Sequence, residues 1–153
     1  MSLTIPLVDT NSNNERRRVS LASIHHLLDM AYLMGVELHH HHGPSKGWYS
    51  PSLRVISTMC DMAVWDYKST LAHELGHAIY NDRKTGHDNF NQRQEERADR
   101  FAAKLLINDD ELRHLAPWHG NDLHSLAIDL EVTSHLLEIY LKPHPHIQKE
   151  IAA

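Results

Sequence analysis

The chain has a single cysteine, Cys60, in 153 residues. That excludes an intramolecular disulfide framework and a cysteine-based zinc finger, and leaves Cys60 as a small buried hydrophobe by expectation. No apolar run approaches the roughly 18 residues that a membrane-spanning helix needs. The first residues, Met-Ser-Leu-Thr-Ile-Pro, have neither the basic region nor the apolar core of a secretory signal, so a cytoplasmic location without a membrane partner is expected. Positive charge is scarce, with 15 Lys+Arg against 20 Asp+Glu for a net charge of -5. Phosphate affinity comes from Lys and Arg, so nucleic acid is not expected as a direct partner. Histidine is plentiful: 15 residues, about a tenth of the chain. As the commonest metal-ligating side chain, it puts a metal site on the short list.

Length and composition (41% apolar, 23% charged) fit one domain with a sizeable core. Residues 1–19 read as a flexible lead-in, polar from Asp9 to Arg18. Its three adjacent arginines read as a solvated face before a helix. Residues 20–142 read as the folded domain and 143–153 as a C-terminal tail. Ser20 is a candidate N-cap for a helix closing at Gly35, with Leu21, Ile24, Leu28 and Ala31 at helical spacing. Val36 to His40 and Arg54 to Thr58 read as short strands around the turn cluster Gly43 to Gly47. Helices are then expected from Thr70 to Tyr80 and from Gln92 to Ile107. A short one follows, capped by Asn108 or Asp109 and ending before Pro117, and then a pair at Asp122 to Leu130 and Ser134 to Leu141. The whole predicts one α+β domain, mostly helical, with a small sheet before the Thr70 helix.

The most informative segment is Leu71-Ala72-His73-Glu74-Leu75-Gly76-His77, which contains H-E-x-x-H. On a helix, His73 and His77 stand one turn apart on one face, so both imidazoles can reach a single zinc. Glu74, the next residue round, is placed to take a proton from a water at that metal. In so histidine-rich a chain, chance produces this motif with a probability on the order of 0.1. A second feature raises its specificity. Two histidines and a water leave tetrahedral zinc one protein ligand short. The helix Gln94-Glu95-Glu96-Arg97-Ala98-Asp99 supplies acids soon afterwards. Glu95 and Asp99 are i and i+4 on one face, which lets Glu95 bind the metal while Asp99 accepts a hydrogen bond from the far nitrogen of a ligand histidine. Glu96 points about 100° away, towards solvent.

His-Glu-Leu-Gly-His followed by Glu-x-x-Ala-Asp-x-Phe-Ala-x-x-Leu-Leu-Ile resembles the ImmA/IrrE family of metallopeptidases of bacteria, prophages and other mobile elements. The resemblance is best from Trp48 to Ile107 and looser over the leading helix and Leu126 to Thr133. It implies a zincin-like domain with His73, His77 and Glu95 as zinc ligands and Glu74 as catalytic base. It also implies a protein substrate, a transcriptional repressor or other regulator of a phage or mobile element. Many members carry a further histidine four residues after the second ligand; Asn81 stands there in this chain, and no role is assigned to it. Larger members have added DNA-binding or sensory domains, and a minimal catalytic domain is expected here.

Other features compete for a role. The strand Arg54 to Thr58 is a candidate edge to which an extended substrate adds. Tyr49, Tyr80, His87, His114, His119 and His124 are chemically able to stabilise an oxyanion, and spacing does not choose among them. The run His39-His40-His41-His42 alternates across a strand, so at most two rings converge. The last helical pair resembles a helix-turn-helix, but its second helix holds Glu138 and no Lys or Arg before Lys142, which favours a packing role. The remaining rival is a zinc-containing protein that binds a repressor without cutting it. Retention of Glu74, which a structural site does not need, favours an enzyme.

Overall fold

A computed structural model describes residues 23–153; the expectations for residues 1–19 and for Ser20 as a cap lie outside this range. Helix α1 (Ile24–Leu33) starts at Ser23, whose hydroxyl accepts from the His26 amide, and ends before Gly35 at φ +65°. Strands β1 (Glu37–His41), β2 (Gly47–Ser50) and β3 (Val55–Met59) follow. Six helices complete the described chain: α2 (Val64–Tyr80), α3 (Asp88–Leu106), α4 (Asp109–His119), α5 (Leu123–Asp129), α6 (Ser134–Leu141) and α7 (Pro145–Ala152). The architecture is α+β. None of these helices is long and apolar enough to cross a membrane.

The sheet order is β1-β3-β2, with β1 parallel and β2 antiparallel to β3. This corrects the expected substrate edge. The strand after Arg54 is central, hydrogen-bonded on both sides, with Val55 to Thr58 buried. The edge beside the motif helix is β2, a four-residue strand that starts at Gly47, the last residue of the expected turn cluster. Gly47 makes that position possible: a Cβ there would meet Thr70 Cγ2 at 2.5 Å and Glu74 Cγ at 3.3 Å. Only a residue without a side chain lets the strand run this close to α2.

α2 is six residues longer at its start than its apolar pattern suggests, because Lys68 faces inward and interrupts the stripe. Its ammonium is buried and donates to Glu131 at 2.7 Å. α3 crosses α2 at Gly76, where a Cβ would lie 3.1 Å from the Ala98 Cα and 3.1 Å from the Phe101 ring. With Ala98 and Ala102 fully buried opposite, two small-residue faces bring the helix axes close together. α4 is capped by Asn108 and continues through Pro117, which sits in its last turn and removes one intrahelical donor there. α6 buries Leu136, Leu137 and Leu141. Residues 145–152 form α7, whose Ile147 and Ile151 join the same core as Leu27, Ile56, Leu75 and Leu106. Cys60 is half-buried just beyond β3 rather than in the core, its amide bonded to the His41 carbonyl.

Candidate metal centre

The close α2–α3 crossing sets the site. His73 and His77 stand one turn apart with ring centroids 4.7 Å apart and planes at 81°. The far nitrogen of each ring meets a carboxylate: His73 Nδ1 donates to Asp99 Oδ1 at 2.8 Å, and His77 Nδ1 donates to Asp82 Oδ2 at 2.9 Å. An ionised carboxylate only accepts, so each ring carries a proton on Nδ1, and in its neutral form it presents a bare Nε2. The two Nε2 atoms are 3.0 Å apart. Glu95 brings Oε2 to 3.2 Å from His73 Nε2 and Oε1 to 3.5 Å from His77 Nε2.

Three lone-pair donors with no proton among them repel one another unless a cation lies between them. Tetrahedral zinc with bonds of about 2.1 Å separates its ligand atoms by about 3.4 Å, and the three observed distances bracket that value. Among the described residues, His73, His77 and Glu95 form the group of His, Cys, Asp and Glu donors lying within 4.8 Å of one another. The donor set fits a divalent metal. Without one, a proton is the available cation. Burial lowers the His73 pKa, but the Asp99 hydrogen bond and the charges of Glu74, Asp99 and Glu95 outweigh it, so His73 titrates above the ordinary histidine value.

Two supports were not read from the sequence. Asp82 follows Asn81, the C-cap of α2, which adopts a left-handed conformation at φ +50°. Asparagine tolerates that conformation, and the turn sends the chain back so that the Asp82 amide bonds the His77 carbonyl at 2.9 Å. The Asp82 carboxylate is buried, also paired with Arg97, whose guanidinium lies 4.0 Å from the centre of the Tyr80 ring. The second support is His135 on α6, with Nε2 2.8 Å from Asp99 Oδ2. Asp99 thus holds an imidazole on each oxygen. Burial raises its pKa, the bonds to His73 and His135 lower it, and the net result is below the usual aspartate value.

Glu74 is 7% exposed and packs beside Gly47. Burial pushes its pKa above the ordinary carboxylate range against the opposing pull of His73 and His77, as suits a general base. Two clefts meet at this point, sharing Gly47, Glu74 and Glu95 in their walls. The first, about 730 Å³, runs past Trp48, Tyr49, His77 and Arg83. The second, about 440 Å³, runs past Lys46, His73, Asp99 and His135. Of the candidate oxyanion donors, Tyr49 lines the first cleft, with its hydroxyl buried and unpartnered. The others line neither cleft. Tyr80 packs against Phe101 under Arg97. His87 precedes α3, His114 is exposed on α4, His119 bonds Asp129 and His124 bonds Ser134. Glu96 is exposed, as its helical position predicts.

Histidines one turn apart, a carboxylate from the neighbouring helix and a buried acid beside them suit a hydrolytic metal centre. The family comparison agrees. The family described as the IrrE N-terminal-like domain, a peptidase family, matches residues 59–142, more than half of the chain, and the chain belongs to that family. The match covers α2, α3, the turn between them and α6, which together carry all the residues of the centre. A search of curated proteins finds no match.

Proposed function

We propose that the chain is a zinc-dependent endopeptidase whose substrate is a protein, a transcriptional regulator of a phage or mobile element. The observation that carries the catalytic reading is the convergence of the two bare Nε2 atoms and the Glu95 carboxylate beside buried Glu74. His73, His77 and Glu95 would hold the zinc, with Asp99 and Asp82 fixing the ring directions. Zinc so held supplies Lewis-acid polarisation of the scissile carbonyl and makes water more acidic.

Glu74 takes a proton from a water in the cleft as the oxygen adds to the carbonyl carbon. It returns that proton to the nitrogen as the C–N bond breaks, leaving a free carboxylate and amine. The open edge of β2, beside both clefts, supports an extended substrate bound through backbone hydrogen bonds. A regulator as substrate rests on the family resemblance, and the metal centre by itself would act on any peptide bond brought to it.

Glu74→Gln tests the reading. It should keep the fold and the metal while abolishing cleavage of a transcriptional regulator that the unaltered chain cuts, and a chelator should abolish cleavage by the unaltered chain. A Glu74→Gln protein that cuts at the normal rate would defeat the assignment.

A further inference from the structure

The two clefts differ in how their cations are matched. In the second cleft, Lys46 is paired with Asp66 at 2.7 Å. In the first, Arg83 and Lys84 stand side by side in the wall, and neither side chain has an acidic partner among the described residues. The carboxylates that share this wall are otherwise engaged. Asp82 is paired with Arg97 and His77, Glu95 faces the two Nε2 atoms, and Glu74, which feels the Lys84 charge without bonding it, is buried against Gly47.

The segment that presents the two cations is also held in place. Gln94, buried on α3, accepts from the Arg83 amide at 3.0 Å and donates to the Arg83 carbonyl at 2.9 Å. Two residues on, the Asn91 side chain accepts from the Thr85 amide at 2.9 Å and donates to the Thr85 carbonyl at 2.8 Å. Side-chain clamps on both flanks fix the backbone under Arg83 and Lys84, so less order has to be imposed when a ligand binds. In a chain of net charge -5, two exposed cations on a clamped backbone beside the candidate centre offer local charge of the opposite sign.

We infer that the first cleft selects an acidic peptide segment, with Arg83 and Lys84 receiving an Asp or Glu side chain of the substrate next to the bond at the metal centre. Arg83 offers a planar fork that matches a carboxylate in two bonds, while Lys84 adds a compact charge. This inference names the substrate class for the peptidase reading and rests on it for the meaning of the cut bond, but the binding preference stands apart from turnover.

Binding is therefore measured on the zinc-loaded Glu74→Gln protein. The probes are blocked, fluorescently tagged alanine-rich peptides in which one Glu or one Lys is walked along the sequence. The expected result is about a fivefold to tenfold tighter Kd for Glu over Lys at one or two positions, falling towards equality as salt rises. In the same background, Arg83→Glu with Lys84→Glu should invert the preference, and the milder Arg83→Gln with Lys84→Gln should erase it, with zinc content serving as the check that each variant has folded. Equal affinities for all peptides, or a preference that survives charge removal, overturns the inference. If the acidic preference holds but the unaltered, metal-loaded chain cuts no peptide, the inference stands and the peptidase reading falls.

Discussion

Two histidine-rich regions of this molecule lie close in sequence and differ in what their rings can do. On β1, His41 engages both ring nitrogens, Nδ1 with the Ser57 hydroxyl at 2.7 Å and Nε2 with the Ser45 carbonyl at 2.9 Å. His40 bonds Thr58 and His39 bonds Glu37. Each ring finds a different partner, so no two lone pairs meet. On α2, His73 and His77 each engage one nitrogen with a carboxylate and turn the other towards a shared point. Three of the four consecutive histidines therefore make hydrogen bonds along the strand, whereas two at helical spacing make the candidate metal centre. Metal chemistry follows from which nitrogen is left free, and the partner of the other nitrogen decides that.

The sharpest way to break this contrast is to delete rings on both sides of it. His73→Ala, His77→Ala or Glu95→Ala should weaken zinc binding by more than about a hundredfold, beyond the range typical of residues that only orient ligands. His40→Ala and His41→Ala should leave zinc affinity within about twofold, the scatter expected when no ligand or orienting group is lost. Competition against a chromophoric chelator measures all five. A strand variant that loses zinc as badly as a helix variant would sink the distinction.

The next effect is smaller and tests the orienting partners. Asp99→Asn and Asp82→Asn keep the shape of each side chain but replace the charged acceptor, and each should cost about 10- to 100-fold in zinc affinity. Asp82→Asn should also lower stability, because it leaves the Arg97 guanidinium without its buried partner. His135→Ala removes only the second imidazole on Asp99 and should cost less than either. Were His135→Ala to match Asp99→Asn, the metal site would have to extend to α6.

How much of this was legible in the sequence depends on whether a feature is local. The α6 bounds follow from the capping Thr133 and a regular leucine pattern, and the reading matches the structure there. His73, His77, Glu95 and Asp99 lie at helical spacings, so their faces could be read once two helices were assumed. Asp82 had a signal, an acid just past an asparagine that ends the motif helix, but its meaning needs the left-handed turn at Asn81. His135 had none, being 36 residues from Asp99 and joined to it only by the packing of α6 on α3. β2 escaped because four residues beginning with Gly47 show no alternation. The first turns of α2 escaped because a buried lysine reads as a surface residue.

The smallest expected effect belongs to a tyrosine–carboxylate pair remote from the centre, and it asks whether the structural hydrogen bonds of this protein respond to pH separately from the metal. Tyr140 on α6 donates its hydroxyl to Asp109 at the start of α4, and its ring stacks on His144 at 5.0 Å. Burial, the hydrogen bond and the Asp109 charge push its pKa from 10.0 up to about 12. A raised folded-state value means that the folded chain holds this proton more tightly than the unfolded one. Its stabilisation is therefore complete below pH 10 and is lost as pH rises through about 12. The ring is only partly buried, so the effect is discounted to that of an ordinary hydrogen bond. Tyr140→Phe should cost about 1 kcal/mol in urea unfolding near neutral pH. The gap between variant and unaltered chain should then close as the titration is carried upward through that alkaline window, with zinc affinity at neutral pH the same in both. A gap that widens with pH would mean that Asp109, not the phenol, controls the contact.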